Sequence, residues 1–282
     1  MNIKNVKERK PFKQLLFSQP TYFDVKYKIN PYMVEDVNPN KARLNWNETI
    51  RAARNHASIQ TVDYDTFKQS KPSICDLPDA VFCANHAMPI PDNGFILSNM
   101  KYTERKGEPY YFERWAKNND YETIKIDSVF EGEGDAKWHP NKNIVFIGYG
   151  TRTNKKAINE IDSLIDAKVI GLELISPLYY HLDVCFTPLD ENTVIIIPEA
   201  FSKNSYDIIH EIFDTVFYLP TEDKKTMGGN CARIAPNTFL IDKKNTKTIR
   251  LLQNNGYTAV EVNTEEFQKA GGSTDCLFLN IP

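Results

Sequence analysis

Short apolar runs recur along the chain, separated by amphipathic stretches. Residues 80–85 (AVFCAN) and 94–100 (GFILSNM) read as two strands around a turn of Pro, Asp, Asn and Gly. Residues 108–118 (EPYYFERWAKN) read as a helix and 121–127 (YETIKID) as a strand, giving the order β-β-α-β. The order then repeats. Strand 143–149 precedes helix 154–166, whose Ile158, Ile161 and Ile165 share a face, and strand 168–175 follows. The next unit is 183–189, strand 193–198, helix 203–213 and strand 215–219; after it come 231–235, 238–242, helix 245–255 and strand 257–263. The N-terminal part supplies strand 23–29, helix 46–56 and strand 59–64. The last strand, 275–281 (DCLFLNI), has no helix after it and must pair with something earlier. Five units of roughly fifty residues, the last closed by joining both chain ends, suggest a ring of repeats; an open α/β sheet would give the same alternation.

Each unit carries one polar signature at a strand start: FCAN at 82–85, EGEGD at 131–135, HLD at 181–183, GGN at 228–230 and STDC at 273–276. From Asn85 to Glu131 is 46 residues, from Glu131 to His181 is 50, and from His181 to Cys276 is 95, close to two repeats. In a ring, equivalent positions face one axis, so these four side chains should converge. A thiol, an imidazole and carboxylates in one pocket make a nucleophile with its acid/base partner and its substrate anchors. Carboxylates at Glu131, Asp135 and Asp183 suit a flat guanidinium cation, which donates paired hydrogen bonds and favours the reactive thiolate. The bland readings remain beside these. A lone cysteine is commonly a packed apolar residue, His181 a satisfied half-buried histidine, Asp183 a structural cap, and the EGEGD loop a turn. GGN at 228–230 reads as a tight turn approaching the axis, with a site-lining role as the alternative. Cys75, Cys83, Cys185 and Cys231 read as core or site lining, and His56, His139 and His210 as surface.

Composition narrows the classes. The chain has 282 residues with 41% hydrophobic and 25% charged, a globular balance, and is read as one domain over 21–282 behind a flexible tail, 1–20. A net charge of −3 offers no surplus for nucleic acid or a membrane surface, and no apolar run reaches the length of a span. The basic N-terminus lacks the apolar stretch of a signal peptide. Five cysteines without a CxxC pair argue against a disulfide framework or a zinc site and for a reducing cytoplasm. EGEGD lacks the alternating ligands of a calcium loop. No metal or organic cofactor is expected. The expected partner is a small-molecule guanidine, with a homo-oligomer possible.

PDAVFCAN, EGEGDA, GYGTR, YYHLDVCF and AGGSTDCL, taken in order, resemble the guanidino-group-modifying enzymes: arginine deiminases, dimethylarginine dimethylaminohydrolases, amidinotransferases and arginine dihydrolases. The resemblance spans residues 22–282 and implies a five-bladed α/β propeller. It is strongest to the arginine dihydrolase branch, which has F-x-A-N where classical deiminases have an aspartate; Phe82 and Asn85 match it, and Asn30 in KINPYM matches a second asparagine. The resemblance implies that Asn30 and Asn85 contact the guanidinium and favour hydrolysis past citrulline. It implies too that Arg105 and Arg152 hold the substrate carboxylate, with Cys276 as nucleophile, His181 as proton carrier and Glu131 as orienting carboxylate. One departure is His86, in Asn85-His86-Ala87-Met88, where the family commonly has ANAG. Arginine dihydrolase or deiminase chemistry leads. Dimethylarginine hydrolysis, amidino transfer and a non-catalytic arginine sensor are the alternatives.

Overall fold

The structure, a computed structural model, describes the chain except residues 1–2, 4, 13, 34–35, 68–72 and 92–93. Among the described residues, fifteen strands form five three-stranded sheets. β1 (Gln14–Ser18) runs parallel to β2 (Ser58–Val62) across the helix Pro39–Ala53. β3 (Ala87–Ile90), β4 (Gly94–Leu97), the helix Glu108–Asn118 and β5 (Glu122–Ile124) form the next sheet. β6 (Ala136–Trp138), β7 (Ile144–Tyr149), the helix Lys156–Leu164 and β8 (Lys168–Glu173) repeat it. β9 (Phe186–Pro188), β10 (Thr193–Ile196), the helix Lys203–Ile212 and β11 (Thr215–Tyr218) repeat it again. So do β12 (Ala232–Ala235), β13 (Thr238–Asp242), the helix Thr246–Asn254 and β14 (Thr258–Val262). β15 (Phe278–Ile281) pairs antiparallel with β1, Phe17 opposite Phe278, so both chain ends complete the fifth sheet. The fold is the five-bladed α/β propeller of repeated ββαβ units that the spacing and the resemblance imply.

In every unit the first strand lies antiparallel to the second, and a crossover helix returns the chain parallel to it. The middle strands are buried on both faces, which is why IVFIGY and TFLID read as continuous apolar runs. Helix faces such as Ile209–Ile212 and Ile249–Leu252 join the same apolar clusters, each fully buried aliphatic side chain contributing roughly 1.5–3 kcal/mol. The centre of the ring is polar instead. Asn85, Glu131, Asp135, His181, Asp183 and Asn230 are all buried there.

Several sequence expectations need correction. The segment 1–20, read as a tail, carries β1, with Leu15, Leu16 and Phe17 in the core. The strand expected at 23–29 is irregular chain. The first helix starts at Pro39, not at 46, because Asn38 caps it by accepting from the backbone N–H groups of Asn40 and Lys41, both at 3.1 Å. Residues 80–85 are not a strand but two single 3-10 turns, Pro78–Val81 and Cys83–His86, started by Pro78. The strands expected at 183–189 and 275–281 likewise begin with short turns, Leu182–Val184 and Asp275–Leu277. His139 is buried, not at the surface. Of the turn expected between the strands at 80–85 and 94–100, residues 92–93 lie outside the described residues.

Candidate active site

Each polar signature sits on the single helical turn that precedes an inner strand, which aims it at the axis. Cys83–His86 packs against Gly132–Asp135, that turn against Leu182–Val184, and that against Gly228–Asn230. Hydrogen bonds from Asn230 carry the ring on to Asp275–Leu277, which packs back on Cys83–His86. The ring is tight enough to require glycine at position 134, where a Cβ would overlap the Asn85 amide. At position 272 a Cβ would overlap the ring of Phe82.

Cys276 is buried with its Sγ donating to Oδ2 of Asp183 at 3.1 Å and accepting from Nδ2 of Asn230 at 3.3 Å. Oδ1 of Asn230 accepts from the backbone N–H groups of Ser273 (3.0 Å) and Asp275 (3.2 Å) and so shapes the turn that presents the thiol. Burial, reinforced by Asp183, pushes the thiol well above its ordinary range. Burial also raises Asp183 to about 7, with Lys137 opposing and Asp275 adding to the rise. The free protein therefore holds a protonated thiol.

On the other side, Nε2 of His181 lies 2.6 Å from Oε2 of Glu131, which also accepts from Arg152 at 2.8 Å. Burial alone would raise Glu131, but Arg152 and His181 outweigh it and hold the carboxylate well below its usual range. Burial lowers His181 to about 4 despite Glu131. The imidazole is neutral. Its acceptor-only partner assigns the proton to Nε2 and leaves Nδ1 free to take one. Arg152 is clamped between the rings of Tyr102 and Tyr180, each centroid 4.7 Å from its guanidinium carbon.

Cys276 and His181 line one narrow cavity together with Asn30, Asp79, Phe82, Asn85, Arg105 and Arg152. The structure thus gathers nine of the ten expected site residues there or in direct contact with the lining; Glu131 bonds His181, and Asp183 bonds Cys276. Asp135 is the exception in role. Its carboxylate accepts from Thr153 Oγ1 at 2.7 Å and from the Leu182 N–H at 3.1 Å, so it braces the segments that carry Arg152 and His181 and does not line the cavity. His86 also stands behind the cavity: Tyr64 bonds its Nδ1 at 3.0 Å, and Nε2 is 3.5 Å from Glu108. Glu108 in turn takes two bonds from Arg105, at 2.9 and 2.7 Å, and Arg105 donates a third to Oδ1 of Asn85 at 3.1 Å.

Sequence reasoning missed Asp79, although it lies inside PDAVFCAN. It is buried in the cavity wall, its Oδ2 accepting from Tyr27 at 3.0 Å and its Oδ1 meeting no donor among the described residues. Burial raises it to about 6, with Arg105 opposing. Asn230 realises the site-lining alternative for GGN, bonding the Cys276 sulfur, although the sequence named no role for it. Its signal was an amide in one of the five equivalent strand-start positions.

A family model described as N,N dimethylarginine dimethylhydrolase, eukaryotic, matches residues 13–282. The chain belongs to that family. An uncharacterised Caenorhabditis elegans protein is 30% identical over 271 residues, 95% of this chain and 94% of its own length. The bifunctional arginine dihydrolase/ornithine cyclodeaminase ArgZ of Synechocystis is 29% identical over 95% of this chain, which spans 37% of ArgZ. The N(G),N(G)-dimethylarginine dimethylaminohydrolase of Mycobacterium tuberculosis is 28% identical over 93% of this chain and 83% of its own. Among solved structures, the N-terminal domain of ArgZ bound to product superposes with a TM-score of 0.88 at 26% identity, covering 96% of this chain and 98% of that domain. The matched family and the two relatives named for an activity are guanidino hydrolases, and this chain is a guanidino hydrolase with a small-molecule substrate. Among the described residues no helix is long and apolar enough to cross a membrane.

Proposed function

We propose that the chain hydrolyses free L-arginine in two rounds, through a covalent intermediate on Cys276, to ornithine, carbon dioxide and two molecules of ammonia. The observation that carries the reading is Oδ1 of Asp79, a buried carboxylate oxygen in the cavity wall without a donor among the described residues. A buried acceptor of this kind matches a donor-only cation, and guanidinium is one. Arg105 and Arg152 at the same cavity match the substrate carboxylate. The substrate's charge draws the thiol toward thiolate, which attacks the guanidinium carbon. The thiol proton passes to neutral His181, which delivers it to the departing nitrogen as ammonia. His181 then takes a proton from water, and the resulting hydroxide displaces Cys276 to leave citrulline. Glu131 keeps the imidazole oriented throughout.

The second round rests on Asn30 and Asn85. A ureido group has a carbonyl acceptor that guanidinium lacks. A carboxylate cannot donate to that oxygen, whereas an amide both donates and accepts. Two amides beside the cavity therefore suit citrulline as well as arginine: Cys276 attacks the ureido carbon, the terminal nitrogen leaves as the second ammonia, and water hydrolyses the resulting thiocarbamate, freeing Cys276 and a carbamate that splits into ornithine and carbon dioxide. The covalent intermediate and the substrate-bound Cys-to-Ser variant described for the ArgZ domain support the same chemistry. A second reading, release of dimethylamine from dimethylarginine with citrulline as product, is favoured by the description of the family model and by the M. tuberculosis relative. Mass spectrometry of products from arginine and from dimethylarginine separates them. The dihydrolase reading requires ornithine with two ammonia per arginine; accumulation of citrulline, or turnover of dimethylarginine alone, would overturn it.

A further inference from the structure

The inner strands start at the candidate active site, so their far ends meet at the opposite mouth of the axis. There Trp138, Pro188, Ala235 and Asn280, from β6, β9, β12 and β15, frame a second cavity, open to solvent, of about 560 Å³. The smaller cavity holds the thiol and the imidazole; this larger one holds a different set of groups. Arg9, Arg54, Lys137 and Arg233 line it, against the carboxylates of Glu133 and Asp275.

The two carboxylates are already engaged. Glu133 accepts from the backbone N–H of Asn280 at 2.7 Å and from its Nδ2 at 2.9 Å, and Asp275 pairs with Lys137 at 2.5 Å. The guanidinium groups are not matched in the same way. The Nε atoms of Arg9 and Arg233 are buried and meet no acceptor among the described residues. Arg9 is fixed: its two terminal nitrogens donate to the carbonyls of Lys10 (2.7 Å) and His139 (3.1 Å), and its head lies over Phe12 and Trp138 at 4.6 and 5.1 Å. Arg233 sits where the β12–β13 register shifts, an irregularity that re-aims a side chain. Burial lowers both guanidinium groups: Arg9 falls to about 10, with Glu133 opposing and Arg233 adding repulsion, and Arg233 falls with Asp190 and Tyr257 opposing. Acceptors without donors at one mouth suit a cation. Donors without acceptors at the other suit an anion.

We infer that this far mouth binds a small, multiply charged oxyanion, a phosphate ester or a di- or tricarboxylate, through Arg9, Arg54 and Arg233. Its floor is the Lys137–Asp275 pair, and Asp275 precedes Cys276 in the chain, so the occupant lies one residue from the thiol's backbone.

Calorimetric titration of the whole protein with pyrophosphate and with citrate, at ionic strength matched by sodium chloride, tests this. Saturable binding of at least one is expected; pyrophosphate alone identifies the phosphate class and citrate alone the polycarboxylate class. Arg233→Gln and Arg54→Gln should each weaken it by about tenfold, the loss of one charge-assisted contact. Arg54 is exposed, so its variant reports even if Arg233→Gln fails to fold. Arg152→Gln, at the other cavity, should leave the affinity unchanged. No saturable binding of either anion, full affinity in Arg54→Gln, or loss of affinity in Arg152→Gln would each overturn the assignment.

Discussion

The sulfur of Cys276 donates to Oδ2 of Asp183 at 3.1 Å, so the carboxylate that helps surround the nucleophile also keeps it protonated in the free protein. A thiol held in this way is inert until a cation enters, which restricts reactivity to the complex with substrate. Asp183→Asn removes the charge that opposes thiolate formation. Alkylation of Cys276 by iodoacetamide at pH 8, without substrate, should be faster in that variant than in the wild type, while turnover falls. Equal alkylation rates would show that Asp183 does not govern the thiol. Cys276→Ala should reduce ammonia release to background while arginine still binds.

Asp79 offers a complementary test. Its free oxygen is an acceptor for the guanidinium, and Asp79→Asn replaces a charge-assisted bond by a neutral or mismatched one. The loss should appear in KM and reduce kcat/KM for arginine roughly ten- to a hundredfold, the range of one hydrogen bond to a charged group. Steady-state kinetics with unchanged KM would remove Asp79 from the substrate contacts.

The proposed second round can be tested at Asn85. Asn85→Asp takes away one of the two amide donors proposed for the ureido oxygen and leaves a group that only accepts. The variant should release citrulline in place of ornithine, read as the product ratio by mass spectrometry after complete consumption of arginine. An unchanged ratio would locate the second round elsewhere.

The ring closure and the convergence of Asn85, Glu131, His181 and Cys276 were legible because the repeat length fixes them: equivalent places in ββαβ units face one axis whatever lies between. The burial of Asp135 was legible, its role was not. An acid in a signature looks the same from the sequence whether it accepts from Thr153 and Leu182, as here, or from a substrate. The first strand was misplaced because VKYKI at 25–29 has the alternation of a strand, whereas QLLFS at 14–18 shows its character only through its partners β15 and β2. The strand starts were misread for a related reason. The short turn that re-aims each signature inward has no period of its own. Asp79 went unnoticed because it lies one such turn before Asn85, in a buried position that only the folded cavity reveals.

His139 supplies a stability prediction with a defined sign. Its Nδ1 accepts from the N–H of Lys142 at 3.0 Å, and its Nε2 donates to the carbonyl of Glu191 at 3.0 Å, a pattern that only the neutral ring satisfies. Burial accordingly lowers it from 6.5 to about 4, with the Glu191 carbonyl opposing. The folded state then binds fewer protons than the unfolded one between those values. The contribution is complete above pH 6.5 and is lost as the pH falls toward 4, by up to about 3 kcal/mol. His139→Gln has no proton to gain. Urea denaturation of both proteins at pH 7, 5.5 and 4 should show the wild type losing stability relative to the variant as the pH falls. A constant difference across the series would mean that the ring is protonated, or solvated, in the fold.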